Sequence, residues 1–570
     1  MQILGSIFFW GLFLFLCIAR HRMPVLVRSL LRVIARSISF FRYSGIPGCP
    51  FFLSSFFFCY YMQIFFAYIN FLLYLCSTKS KIIMKIQFLG ATREVTGSKH
   101  LITTDSGHTI LLDCGMYQGK GMETDAANRD LGFDPAKLDC IVLSHAHIDH
   151  SGLIPYVVKM GFKGDIYCTP ATRDLCSLML ADTAFIQEQD VRTYNKKIDK
   201  QNPHKEKGKK YFVEPLYNQN DVNRAMKHFV TYHYDRRFRL FDDVLLTFTN
   251  SGHMLGGAIC SLEVYEEEVT GDGLQVTGQK RWKRLTYTGD IGRLKSHILP
   301  SPQLFPQCDY LICESTYGDR LHDDPMVTEE QLLGIVEDTC VYRKGQLLIP
   351  SFSVGRTQEI VYVLNQLYND GRLPQIPVYV DSPMSTNATQ IFRLYLDELS
   401  DEVRDTVQFD PDPFGFNTLR YITDIRESKA LNHKEEPCII ISASGMLEAG
   451  RIKHHVANHI SDPRCTILIV GYCAPTTLGA RIQEPGLQWI SIFGLDRKIK
   501  AQISKLEGFS GHGDYKEMID YLTRSLQVEG VKRVFVVHGE EQAAETYKGH
   551  LEEAGFRNIE VPEHGEEVVL

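Results

Sequence analysis

Three histidines and an aspartate crowd into six residues, His145-Ala-His147-Ile-Asp149-His150. In a chain of 570 residues with 20 His and 68 acids, this pattern arises by chance about 0.003 times. A lone histidine after a strand is usually a satisfied structural residue. Three together are different: as cations they would repel, whereas as neutral imidazoles beside a carboxylate they suit a metal ion. The run that follows, from Ser151-Gly-Leu-Ile-Pro, reads as a helix. The cluster therefore sits at a strand–helix junction, where the backbone can aim neighbouring side chains in different directions.

The elements around it have one habit in common. Ile110-Leu-Leu ends at Asp113, Cys140-Ile-Val-Leu-Ser at His145, and Val244-Leu-Leu-Thr-Phe leads through a Gly turn to His253. Leu285-Thr-Tyr-Thr-Gly ends at Asp290, Tyr310-Leu-Ile-Cys at Glu314, and Val534-Phe-Val-Val at His538. Six β-like segments thus deliver a carboxylate or imidazole at their C-terminal ends, the edge where ligands gather in α/β sheets. Short apolar runs alternating with longer amphipathic ones predict an α/β protein. Taken singly, Asp113 or Asp290 reads as a strand-end cap.

Composition divides the chain. Residues 1–84 hold eight Arg or Lys and no acid, while the body carries 53 basic against 68 acidic side chains, a net charge of −15. Phe51 to Cys76 is an uncharged run of 26 residues, and Ile3 to Ala19 an apolar run of 17. Read literally, residues 1–76 are a two-span membrane anchor with six arginines on the cytoplasmic side. Because Met84 opens directly onto the strand-like Lys85-Ile-Gln-Phe-Leu-Gly90, residues 1–83 read instead as a start-site artefact, and the body as cytoplasmic. The 15 cysteines include no Cys-x-x-Cys pair and read as reduced thiols. Uniform disorder is excluded by the 44% hydrophobic content and interspersed charges.

The His-x-His-x-Asp-His core, Asp113 in Leu-Asp-Cys-Gly, His253 in Ser-Gly-His-Met-Leu-Gly-Gly-Ala and Asp290 in Tyr-Thr-Gly-Asp resemble, in order, the metallo-β-lactamase superfamily. The resemblance implies a four-layer αβ/βα sandwich and two Zn2+. It implies that His145, His147 and His253 hold the first metal, Asp149 and His150 the second, and Asp290 both. Asp113 resembles the family's buried orienting carboxylate. Glu314-Ser-Thr-Tyr-Gly, Gly508-Phe-Ser-Gly-His512-Gly-Asp and Val537-His538-Gly-Glu are similar to motifs A, B and C of the β-CASP nucleases. This branch includes the RNA-cleaving subunit of the cleavage and polyadenylation machinery and its prokaryotic relatives. There, a histidine at the place of His538 completes the second zinc site and is associated with RNA. The implied organisation is a metallo-β-lactamase domain over 84–318, an inserted α/β β-CASP domain over 319–490, and a return of the first domain over 491–570.

Within the insert, Ser351-Phe-Ser-Val-Gly355-Arg356 and Ser442-Ala-Ser444-Gly445 each form a turn before a helix. Free backbone N–H groups there, with the Arg356 fork, are expected to grip an RNA backbone; plain helix capping is the blander reading. Arg192 to Lys210 carries eight Lys or Arg against Asp199 and Glu206. It reads as a solvated loop, or as the one stripe that attracts nucleic acid over distance.

The expected activity is zinc-dependent hydrolysis of RNA phosphodiester bonds, acting in RNA processing or decay. Two zincs about 3.5–4 Å apart would activate water and take up phosphoryl charge. His512, not needed as a ligand, is the expected general acid, with Glu314 on its other ring nitrogen. The expected partner is single-stranded RNA. Homodimerisation stays open, and a membrane partner depends on the leader. The competing classes are a thioester or lactam hydrolase of the same superfamily and a non-catalytic processing-complex subunit.

Overall fold

The computed structural model describes residues 84–570 apart from 120–122, 202–212, 270–275, 323–324, 475 and 507. The leader, residues 1–83, lies outside the described residues, and so does the second half of the basic stripe, residues 202–210. Its first residues are described and are helical: the helix Pro170–Gln201 runs through Arg192, Lys196 and Lys197, where a loop was expected. Among the described residues no helix is long and apolar enough to cross a membrane.

The chain builds its sheets largely in order. Strands β1 (Lys85–Gly90), β2 (Lys99–Thr103), β3 (Thr109–Leu112), β4 (Cys140–Val142), β5 (Asp165–Cys168) and β6 (Phe229–Thr231) form the first sheet. Strands β7 (Phe238–Phe241), β8 (Val244–Asn250), β9 (Ala258–Val269), β10 (Val276–Tyr287) and β11 (Tyr310–Glu314) form the second. The chain then leaves to make a third sheet from β12 (Gln346–Pro350), β13 (Val378–Asp381), β14 (Leu419–Ile422), β15 (Cys438–Ser442) and β16 (Thr466–Ile469). After a hairpin of β17 (Trp489–Ile492) and β18 (Leu495–Lys498), β19 (Gln502–Lys505) adds an edge to that third sheet. Finally β20 (Arg533–Val537) and β21 (Ile559–Glu560) rejoin the second sheet, and β22 (Glu567–Val569) closes the first beside β1. Because β19 pairs in parallel with β16, the third sheet extends past the boundary expected at 490. The polar, partly exposed Gln502-Ile-Ser-Lys stretch gives no apolar signal of a sheet strand.

Four layers follow from which faces are apolar. Ile86, Phe88, Ile110, Leu112 and Val142 of the first sheet pack against Leu246, Phe248, Leu262, Leu285 and Phe535 of the second, all fully buried. The opposite face of the first sheet, with Ile141 and Ile166, meets Val157, Leu175 and Leu180 from helices. The opposite face of the second, with Leu311, Val534 and Val536, meets Met518, Leu522 and Leu551 of the helices Tyr515–Ser525 and Glu541–Glu553. This is an αβ/βα sandwich carrying an α/β insert. Strands β12, β13, β15 and β16 are buried along their whole length and mostly apolar, as suits parallel strands covered on both faces.

Register places the chemistry. β10, β11 and β20 run in parallel, with Tyr287 opposite Ile312 and Glu314 opposite Val537. The segments that leave these strands, with Asp290, Glu314 and His538, therefore emerge at one edge. β3 and β4 are likewise parallel, with Leu112 opposite Val142, which brings Asp113 beside Ser144 and His145.

A candidate dinuclear metal centre

His145, His147, His253 and Asp290 present ligand atoms that all lie within 4.8 Å of one another, and so do Asp149, His150 and His538. Asp290 stands between the groups. Its Oδ2 is 3.4 Å from His145 Nε2 and 3.5 Å from His253 Nε2, while its Oδ1 is 3.3 Å from His150 Nε2 and 3.4 Å from His538 Nδ1. One carboxylate thus turns one oxygen toward each cluster.

The donor set fits cations better than protons. His147 Nδ1 lies 3.1 Å from both His145 Nε2 and His253 Nε2, and His150 Nε2 lies 3.0 Å from His538 Nε2. Three nitrogens around one point cannot all be satisfied by protons passed among themselves. Burial pushes the His145 and His253 imidazoles well below their ordinary range and His147 down to about 4, so these rings offer lone pairs. Asp290 Oδ1 is buried without a hydrogen-bond partner, a costly state for a carboxylate oxygen that a cation relieves.

Neighbours set the tautomers. His253 donates from Nδ1 to the Gly511 carbonyl at 3.0 Å, freeing Nε2. His150 donates from Nδ1 to Asp113 Oδ2 at 2.6 Å, again freeing Nε2. Asp113 is fully buried and is anchored by Ser144 N, Ser144 Oγ and Tyr287 Oη, each at 2.7 Å. It is the hub that orients His150. Thr316 Oγ1 lies 3.1 Å from His538 Nδ1. Asp113 and His538 both take left-handed backbone, φ 57° and 52°, a strain seen at sites where geometry outranks comfort. The glycine after Cys114 is also forced: a Cβ on Gly115 would lie 1.6 Å from the Asp149 carbonyl oxygen.

His512 stands beside the pair of clusters. Its Nδ1 is 3.1 Å from Glu314 Oε2 and 4.0 Å from Asp290 Oδ2, and its side chain is 20% exposed where those of Glu314 and Asp290 are 0% and 2%. Burial opposes its charge, but the attraction and hydrogen bond of Glu314, with Asp290 behind, push it up to about 9. Glu314 also accepts from the backbone N–H of Ile291 and Thr316, so the carboxylate cannot turn away.

The insert turns divide. Arg356 pairs with Glu359 at 3.0 Å, its Nε is buried without a hydrogen-bond partner, and its Nη2 lies 3.7 Å from where a Cβ on Gly511 would stand. The guanidinium therefore borders the metal centre. Gly355 caps the helix Arg356–Asn369 in a positive-φ conformation with no side-chain cap bond. Ser351 and Ser442, expected at the substrate, are buried; Ser442 donates to the Asp381 carbonyl, and Ser351 to its neighbour Phe352 while accepting from Thr357. Their hydroxyls brace the turns. Ser444 Oγ bonds Ala449, and Gly445 packs on Phe352. Ser144, Tyr287, Thr316 and the Gly511 carbonyl complete the centre without having been singled out from the sequence. The only signal for the first two is their place at or just past a strand end ahead of a candidate ligand.

Three family models match the chain: a metallo-beta-lactamase superfamily domain over residues 101–270, a Beta-Casp domain over 357–482, and a Zn-dependent metallo-hydrolase RNA specificity domain over 496–562. Among curated relatives, ribonuclease TTHA0252 of Thermus thermophilus is 35% identical over 462 residues, 80% of this chain and 94% of that one. Transcription termination factors FttA of Methanosarcina mazei and Methanocaldococcus jannaschii are 30% and 33% identical, over 82% and 80% of this chain and 68% and 67% of theirs. The chain belongs to the β-CASP family of the metallo-β-lactamase superfamily.

Proposed function

We propose that this chain is a ribonuclease that hydrolyses RNA phosphodiester bonds with two zinc ions, in RNA processing or transcript termination. The observation that carries the reading is Asp290, one oxygen toward each ligand cluster, with His512 alongside. The relative named a ribonuclease and those named termination factors support RNA as the substrate.

His145, His147 and His253 would hold one ion, Asp149, His150 and His538 the other, and Asp290 both. When bound, the pair supplies a nucleophile from water near neutral pH and neutralises charge on the phosphoryl oxygens. The chain's own residues do the rest. Asp113, through Nδ1 of His150, keeps that ring's Nε2 aimed at the centre. Glu314 holds the His512 Nδ1 proton, which leaves Nε2 to donate a proton to the departing 3′ oxygen. The Arg356 guanidinium offers its fork to a backbone phosphate beside the centre, with the Gly355 and Ser444–Gly445 turns forming the wall around it. Loss of the 3′ oxygen leaves a 5′-phosphate and a 3′-hydroxyl.

A thioester or lactam hydrolase would not call for Arg356 at the centre or for the RNA specificity domain match. Incubation of the zinc-loaded protein with labelled RNA and with a thioester separates the readings. Cleavage of RNA to 5′-phosphorylated fragments is expected; turnover of the thioester alone would refute the proposal.

A further inference from the structure

We propose that Phe352, on the sheet edge it shares with Tyr472, is a stacking platform for a nucleobase of the bound strand, next to the phosphate held by Arg356. The inference rests on the RNA reading above. β12 lies between β15 and β16 and runs parallel to both, so the three turns that follow these strands share one edge. Phe352 occupies the central turn. It is 43% exposed, while Ser351 before it and Val354 two residues on are buried.

Both flanking turns meet this ring with a glycine. A Cβ on Gly445 would lie 3.2 Å from Phe352 Cδ2 and Cε2, and one on Gly471 would lie 3.9 Å from Cε2. Backbone rather than side chain supports the ring from both neighbours, and a large apolar surface is left facing out. Tyr472, the residue after Gly471, is 38% exposed. An aromatic face open to solvent accepts any base, because every base has a π-face.

The platform adjoins the chemistry. Arg356 is four residues beyond Phe352, and a Cβ on Gly511 would lie 3.7 Å from Arg356 Nη2 and 3.5 Å from His253 Cε1. From the other side, the Tyr317 ring is 5.9 Å from that of His512, and the Arg320 guanidinium, paired with Asp319, is 5.6 Å from the Tyr317 ring and bears on Tyr472. Alternating aromatic and guanidinium groups suit a single strand, whose bases and phosphates alternate. The same groups give little purchase on a small acyl substrate.

The test compares kcat/KM for a short RNA with that for an abasic ribose–phosphate strand of the same length, which has no ring to stack. For Phe352→Leu the ratio of the two should fall about 5- to 100-fold, as expected for the loss of one stacked base. Phe352→Tyr, which keeps the ring, should restore it. RNAs carrying one abasic nucleotide at successive positions locate the stacked base: at one position the difference between wild type and Phe352→Leu should vanish. An unchanged ratio in Phe352→Leu, or a fall that persists at every abasic position, overturns the platform while leaving the ribonuclease reading intact. A wild-type protein that turns over a thioester but leaves RNA whole overturns both.

Discussion

Nδ1 of His512 lies 3.1 Å from Oε2 of Glu314, across 198 residues of sequence and from the opposite side of the inserted domain. The contact separates two duties within one ring. The nitrogen on the Glu314 side is fixed, and the other is free to meet substrate. It also keeps His512 out of both ligand clusters, which is why the proposed function gives proton transfer and metal binding to different histidines.

This separation predicts that His512→Ala binds zinc as the wild type does yet cleaves RNA about 10²–10⁴-fold more slowly. Metal analysis alongside single-turnover kinetics checks both halves. A variant that loses zinc would show His512 to be a ligand instead.

Asp290 faces both clusters, and no other carboxylate described there reaches each with a separate oxygen. Asp290→Ala should therefore lower bound zinc from two ions to one or none per chain, and activity with it. Two retained ions and full turnover would contradict the bridging role.

Asp113 is fully buried, and three donors besides His150 converge on it. Loss of such a supporting carboxylate typically weakens metal affinity about 10–100-fold. Asp113→Asn should show that loss in competition with a zinc chelator, and Tyr287→Phe, which removes one donor, a smaller one. Unchanged zinc retention in Asp113→Asn would mean that His150 is oriented by other groups.

Glu398 supplies a pH signature from outside the ligand clusters. Burial, helped by the adjacent Asp397, pushes its carboxyl up from 4.5 to about 7, and Oε2 has no hydrogen-bond partner. Tyr395 and Tyr234 feel its charge. Between the unfolded value and about 7 the folded chain binds the extra proton, so this group's contribution to stability declines as pH rises through that window and is gone above it. Glu398→Gln should accordingly unfold at a higher temperature than wild type at pH 8, by about 1–2 kcal/mol in stability after allowance for solvent screening. The gap should close towards pH 5. Thermal unfolding at the two pH values measures it, and a gap independent of pH would refute the assignment.

Much of the centre was legible because metal binding needs rare residue types at fixed spacing, as in His145 to His150, and because ligands follow apolar strands. The four layers were legible by resemblance and are explained by the apolar faces of β1, β8 and β20. What the sequence could not convey was the company these residues keep. A tyrosine ending β10 or a serine before His145 looks like any other, and only the fold reveals that both meet Asp113. A serine in a turn, such as Ser351 or Ser442, is opaque for the same reason: it carries no mark of whether it faces substrate or braces backbone. The edge strand β19 is too polar to announce itself.

Anomalous diffraction at the zinc edge from crystals of the zinc-loaded protein tests the central claim most directly. The account predicts two peaks per chain, one bounded by His145, His147 and His253 and the other by Asp149, His150 and His538, with Asp290 touching both. A single peak, or peaks away from these side chains, would contradict it.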